Sequence, residues 1–305
     1  MRGFLIKIAC ALGIALVLHL AAGFMADGTT DAFYLRFTVK KQKSLVLGGS
    51  RAAQGIFPEV FNAAGLRDRF EGPLYNFSFT IAHSPYGPTY LHAVEAVLDT
   101  NARNGLFILQ VDPWQLSEST DSLPERERSL GVMRTFGQKP NYEYIARYWD
   151  RGWGALSHWG TKDADTNTVL LRDGRLEAHV PMSQVKWEER TRRRLRYYSD
   201  VLMRDRKMSD LRVEWLGRTI DLLKAHGTVV LVRLPASAPI RALEDSLSPH
   251  FNPYMLRLGS EHGALFIDLS DELDGAVYND GVHLNATSGR RLSGLLARMV
   301  LGATL

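Results

Sequence analysis

The chain has 305 residues, 37 lysines and arginines against 33 aspartates and glutamates, a net charge of +4, and 45% hydrophobic and 23% charged residues. It is long enough to bury a sizeable core, too polar for a multi-span membrane protein and too apolar for a disordered one. The mild positive charge permits attraction to anionic lipid or acidic polymers without suggesting nucleic-acid binding, and the single cysteine, Cys10, excludes disulfides and thiol or zinc–cysteine chemistry from the rest of the chain.

The first element is apolar. Arg2 and Lys7 precede a run over residues 8–26 interrupted only by His19, with Asp27 and Asp31 beyond it. At about 1.5 Å per residue the run is roughly 28 Å long, close to a hydrocarbon core. It has no two-faced pattern of the kind a buried soluble helix shows. The positive flank stays in the cytoplasm, which places the rest of the chain outside. The length favours an uncleaved single-pass anchor in the cytoplasmic membrane over 1–26. Ala21-Ala22-Gly23 offers small residues at a processing site, and cleavage there would make the protein secreted. Residues 27–43, with Arg36, Lys40, Lys41 and Lys43, read as a polar linker to a domain over 44–305.

That domain begins with Ser44-Leu45-Val46-Leu47-Gly48-Gly49-Ser50-Arg51. A short apolar run stopped by glycine predicts a buried strand, and 52–64 has helical spacing, so Ser50 sits at a strand-to-helix turn. Gly72-Pro73 marks a turn before a second strand over 74–80; 88–101 has helical spacing; and 106–111 is a third strand. From 114 to 210 the alternation stops, and this stretch reads as an insertion after strand 3. It contains the charged Leu123-Pro124-Glu125-Arg126-Glu127-Arg128, a cluster of Trp149, Trp153 and Trp159 with Tyr142, Tyr144 and Tyr148, and a hairpin signal at Leu171-Arg172-Asp173-Gly174-Arg175-Leu176. The aromatics suit either a sugar-binding wall or a satellite core. The densest basic run, Arg190-Thr191-Arg192-Arg193-Arg194-Leu195-Arg196, suits a solvated face or an anionic-lipid contact.

Alternation then resumes, with a helix over 211–226, a fourth strand over 228–235, mainly helix over 239–261 with a break at Pro253, a fifth strand over 264–269 and a final helix over 286–301. Between the last two lies Tyr278-Asn279-Asp280-Gly281-Val282-His283-Leu284-Asn285. An aspartate three residues before a histidine lets the carboxylate hold one ring nitrogen while the other faces a nucleophile. The pattern predicts a three-layer α/β/α domain with about five parallel strands, flavodoxin-like in type. No internal repeat, metal-ligand cluster, phosphate-loop pattern or dinucleotide fingerprint accompanies it, so neither metal nor cofactor is expected.

In Gly48-Gly49-Ser50 and Asp280-Gly281-Val282-His283 the chain resembles the SGNH, or GDSL-type, hydrolase family, over about 44–112 and 211–302. More loosely it is similar to membrane-anchored SGNH-like proteins of cell-surface polymer acylation. The resemblance implies Ser50 as nucleophile, His283 as base and Asp280 as its partner. It implies an oxyanion donor in the loop after strand two, where Ile81-Ala82-His83-Ser84 lacks the family's glycine but Ala82 still carries a main-chain N–H. His83 there suits either a substrate contact or a solvated loop position. After strand three the family's asparagine donor is replaced by Asp112, whose charge would oppose an oxyanion; Gln110 or Gln115 could substitute as donor. Gly49 stands where the family often has aspartate. Arg51 could pair with an anionic substrate or with an acidic neighbour. The expectation is a membrane-anchored esterase or O-acyltransferase on acetyl esters of extracytoplasmic carbohydrate, with a membrane acyl-transfer partner for the transferase form. The alternative is a catalytically impaired carbohydrate-binding or assembly component.

Overall fold

The computed structural model describes residues 1–25, 33–81, 85–119, 135–147, 168–179 and 183–302. Five strands, β1 (Ser44–Leu47), β2 (Leu74–Asn76), β3 (Gly105–Gln110), β4 (Gly227–Arg233) and β5 (Leu265–Asp268), form one all-parallel sheet in the order β2-β1-β3-β4-β5. Its register aligns Leu45 with Tyr75 and Phe107, and Ile108 with Val230. Successive side chains of a strand point to opposite faces, and both faces of this sheet are covered. Leu45, Leu47, Phe107, Leu109, Val229 and Leu231 face one core, and Val46, Leu106, Ile108, Val230 and Val232 face the other. This explains why these strands are continuous apolar runs rather than alternating ones.

The first core is closed by helices Tyr34–Thr38, Pro88–Val97, Asp210–Lys224 and Phe251–His262, and the second by Ser50–Gly55, Pro58–Ala63 and Ala286–Gly302. The result is the expected three-layer α/β/α domain. The strand order reverses between β1 and β3, which opens a crevice above their carboxyl ends.

Several details depart from the sequence reading. The stretch expected as a linker is part of the domain from residue 33 onward: Tyr34 and Phe37 are buried in the first core, and buried Arg36 donates to Gly174 O at 2.8 Å. The helix expected over 52–64 is two helices, because Gly55 ends the first and Pro58 opens the second. Regular pairing of β2 ends at Asn76, although Phe77 N and Phe79 N still donate to Val46 O and Gly48 O. The break in the helical stretch before β5 falls at residues 248–250 instead of at Pro253. That proline lies in the first turn of Phe251–His262, where its missing N–H has no intrahelical partner to lose.

Within the insertion, the Asp173-Gly174 turn joins the antiparallel pair Thr168–Leu170 and Leu176–Ala178, and Ser117–Ser119 pairs with Arg206–Met208. The helix Gln184–Arg196 runs into a π-helical turn at Tyr197–Leu202. The tryptophans at 149, 153 and 159, Tyr148 and the charged stretch 123–128 lie outside the described residues. At the N-terminus, Arg2–Met25 is one helix, long and apolar enough to cross a membrane, with a mean hydropathy of 2.3 over its most apolar window and Phe4, Leu12 and Leu16 exposed.

Candidate active site

The turn that carries Ser50 is built by backbone constraint. Gly48 has φ +145°, and a Cβ there would fall 2.7 Å from Gln110 Cβ, so only glycine fits. Gly48 N donates to the Tyr90 hydroxyl at 3.0 Å and Gly49 N to Gln110 Oε1 at 2.9 Å, which pins the chain as it leaves β1. Ser50 then opens the helix Ser50–Gly55 at the sheet's carboxyl edge.

The second half of the site comes from the loop after β5. Gly281 has φ +82°, and its carbonyl accepts from Ser237 N at 3.0 Å. Asn279 N donates to His283 O at 2.7 Å, so the loop closes on itself. Asp280 Oδ1 accepts from the main-chain N–H groups of Val282 and His283 at 3.1 and 3.0 Å. The His283 ring lies with Nδ1 2.9 Å from Asp280 Oδ2 and Nε2 2.8 Å from Ser50 Oγ. With the Nδ1 proton held by the carboxylate, Nε2 is left as the acceptor for the Ser50 hydroxyl. Ser50, His283 and Asp280 therefore form a hydrogen-bonded relay from residues 233 positions apart.

Asp280 is 4% exposed and has a further partner that the sequence did not suggest. Arg194, on the insertion helix, places Nε 3.1 Å and Nη2 3.0 Å from Asp280 Oδ2. Burial alone would raise the Asp280 carboxyl, but the His283 ring and the Arg194 guanidinium hold it far below the ordinary carboxylate range. The same helix is tied to this loop a second time, by Trp187 Nε1 donating to Tyr278 O at 2.5 Å.

The remaining expected residues divide clearly. Arg51 is buried against acidic neighbours, with Nη2 2.5 Å from Glu244 Oε1 and Nη1 3.7 Å from Asp112 Oδ2. Burial works to lower the Arg51 guanidinium, yet Glu244 and Asp112 together hold it above its ordinary value. Glu244 also meets Arg233 at 3.1 Å, so a buried chain of charges lies beside the Ser50 turn. Of the two readings of Arg51, the structure supports the acidic neighbour.

Gln110 bridges the turn, accepting from Gly49 N and donating to Asp112 Oδ2 at 2.7 Å, so both ends of its amide are engaged in buttressing the Ser50 turn. Asp112 also accepts from Gln115 N at 2.9 Å, and with Arg51 close by its charge is offset. Ala82 and His83 lie outside the described residues.

Above Ser50 opens a cavity of about 400 Å³, lined among others by Thr80, Gln115, Tyr197, Tyr198, Leu202 and His283. Tyr198 packs edge-on against Trp114 at 4.8 Å, and the satellite core they share with Leu202 and Ile240 includes Val282, beside the histidine. The insertion thus forms one wall of the cavity and braces the histidine loop.

No family model matches the sequence, and neither does any curated protein. Among solved structures, the chain is similar to a carbohydrate acetylesterase family member from Sinorhizobium meliloti, with 14% identity and a TM-score of 0.34, covering 85% of this chain and 100% of that one. It is also similar to Est24, a carbohydrate acetylesterase from Sinorhizobium meliloti, with 14% identity and a TM-score of 0.36, over 85% of this chain and 99% of that one.

The relay stands on its own geometry. Its signals in the sequence were the glycine-stopped strand before Ser50 and the three-residue spacing of Asp280 and His283. Arg194 had a weaker signal in the basic run, which said nothing of its partner. Glu244 had none, because the buried guanidinium it serves lies 193 positions away.

Proposed function

We propose that the protein is an SGNH-type serine esterase or O-acyltransferase working through an acyl-serine intermediate. The observation that carries this reading is the relay, with Ser50 Oγ 2.8 Å from His283 Nε2 and His283 Nδ1 2.9 Å from Asp280. Ser50 Oγ attacks the ester carbonyl carbon while its proton passes to His283 Nε2. Asp280 holds the imidazole orientation and stabilises its positive form. The carbon–oxygen bond to the leaving alcohol then breaks, His283 returns the proton to that alcohol, and the acyl group stays on Ser50. Water, or a hydroxyl of an acceptor sugar, enters by the same steps in reverse. The Ser50 N–H at the start of its helix and a main-chain N–H near Ala82 would hold the oxyanion, a well-placed donor contributing roughly 3 to 4 kcal/mol.

The substrate class in this reading is an acetyl ester on carbohydrate outside the cytoplasmic membrane. Its supports are the cavity beside Ser50, where Gln54, Gln115 and Arg194 stand among apolar and aromatic groups, and the apolar helix Arg2–Met25, which as an anchor would keep the domain at the membrane surface.

The test is labelling of the full-length protein with a fluorophosphonate probe, beside Ser50→Ala and His283→Ala. Labelling of the native protein that both substitutions reduce by about 10⁴-fold or more supports the reading. A folded native protein that does not label refutes it. Product analysis with an acetylated sugar, in the presence and absence of an acceptor sugar, then separates hydrolysis from transfer.

A further inference from the structure

The cavity that holds Ser50 does not end at the insertion helix. Arg194 and Tyr197 line both it and a second hollow of about 250 Å³, whose other lining residues are Arg190, Arg193 and Asp280. Positions 190, 193, 194 and 197 are spaced i, i+3, i+4 and i+7, so they share one face of the helix Gln184–Arg196 and its continuation. Glu188 lies on the opposite side of the helix, and Glu189, four positions before Arg193, makes no ion pair with it among the described residues. Asp280 is already matched by His283 and Arg194. Arg190 and Arg193 make no ion pair among the described residues, and Arg190 Nε is buried with no hydrogen-bond partner there. Two guanidinium groups one turn apart repel each other, and a buried N–H without an acceptor is unfavourable. An anion between them relieves both. Tyr197 is 46% exposed where the two hollows meet, and its ring offers an apolar platform to the face of a sugar.

We propose that this hollow is a subsite for the acidic group of a saccharide, a carboxylate or a phosphate ester, so that the substrate is an acylated acidic carbohydrate whose ester reaches Ser50 while its charge rests on Arg190 and Arg193. Guanidinium forks suit both oxyanions, since each accepts two parallel N–H bonds. The proposal rests on the acyl-transfer reading only for what happens at Ser50.

The test is binding of unacylated probes to the full-length protein in detergent by calorimetry: tetragalacturonate for the carboxylate, glucose 6-phosphate for the phosphate, and maltotetraose as the neutral control. The expected result is that one anionic probe binds at least tenfold tighter than maltotetraose and that Arg190→Gln with Arg193→Gln removes this preference. Arg192→Gln with Arg196→Gln takes the same two charges from exposed positions outside the hollow and should leave the preference within twofold. Equal affinity for neutral and anionic probes overturns the subsite. So does an equal loss in both double variants, which would report only a diffuse field. Binding to phosphatidylglycerol vesicles without binding to any saccharide likewise overturns it in favour of a membrane contact. Because these probes carry no ester, the outcomes separate from those at Ser50. Labelling without anion preference removes the subsite alone, and anion preference without labelling removes the acyl-transfer reading alone.

Discussion

The parallel sheet and the insertion meet at one site and contribute to it differently. The sheet positions the Ser50 turn by over-determination. β1 is buried along its whole length, Gly48 and Gly49 are each bonded through their N–H groups, and the turn is backed by Gln110 at the end of β3. Among the described residues, the insertion holds three-residue strands, the helix Gln184–Arg196, two shorter helices and a π-helical turn. It reaches the relay through the paired contacts of Arg194 on Asp280, through Trp187 on Tyr278 O, and through the packing of Val282. The difference teaches that a rigid scaffold can hold the chemistry while an attached segment decides what approaches it. Substitutions in the scaffold should therefore act on rate and folding together, and those in the insertion on approach and fine placement.

The largest expected effect lies where the two regions meet. Asp280→Asn keeps the shape but supplies an amide that cannot hold the imidazole in the required orientation, and kcat should fall by about 10⁴-fold. Stability carries a second signature. The Asp280 carboxyl is lowered in the folded protein, so its contribution is complete above the ordinary carboxylate range and is lost as the pH falls below it. The gap in unfolding free energy between native protein and Asp280→Asn should be fully present at about pH 5. Below about pH 4 it should shrink by about 1.4 kcal/mol per pH unit. Urea unfolding at pH 5 and 3 measures it; a gap that grows between those two values would mean that the folded protein favours the protonated acid.

Next in size is the buried charge chain beside the Ser50 turn. Glu244→Ala leaves Arg51 and Arg233 without their shared partner and should cost about 3 to 5 kcal/mol, read as a lower urea midpoint. This would sharpen the comparison, because no ion pair with an exposed partner in the insertion should approach that cost. Smaller again is the contrast between adjacent glycines. Gly48→Ala forces a side chain onto φ +145° and into Gln110, at a cost of about 1 to 3 kcal/mol. Gly49→Ala meets nothing nearer than Gln110 Oε1 at 3.6 Å and should change stability by less than about 0.5 kcal/mol. Equal losses would show that the turn is not the constraint described here.

The legibility of the site followed the same division. The Ser50 turn and the Asp280–His283 loop could be read from residues because each is local, a strand stopped by glycine and a three-residue spacing. The sheet could be read because strands buried on both faces leave unbroken apolar runs. The helix at Tyr34–Thr38 was hidden by the lysines that follow it, although Tyr34 and Phe37 carry the spacing that buries it. Pro253 misled because a proline in a first turn and a proline that ends a helix are the same letter. The partners of Arg51 and Arg194 could not be read at all, since nothing local marks which of many acids lies across a folded distance of 193 or 86 positions.

Arg194 gives the smallest effect and the one that most directly tests whether the insertion acts on the chemistry or only stands beside it. Its side chain is 37% exposed, so the attraction to Asp280 is partly screened by water, and Arg194→Ala should cost about 1 kcal/mol at pH 7 and low salt. Screening gives the check. The gap to the native protein should narrow as sodium chloride rises from about 0.05 to about 0.5 M, because the Debye length falls below the range at which a half-exposed pair feels its field. Arg194→Lys should recover part of the stability, since the charge is kept, but less of the turnover, since one ammonium cannot reproduce the paired Nε and Nη2 contacts on a single carboxylate oxygen. A salt-independent loss matched by Lys and Ala alike would reduce Arg194 to packing. The orientation of the Asp280 carboxylate would then rest wholly on the main-chain N–H groups of Val282 and His283, inside the scaffold's own loop.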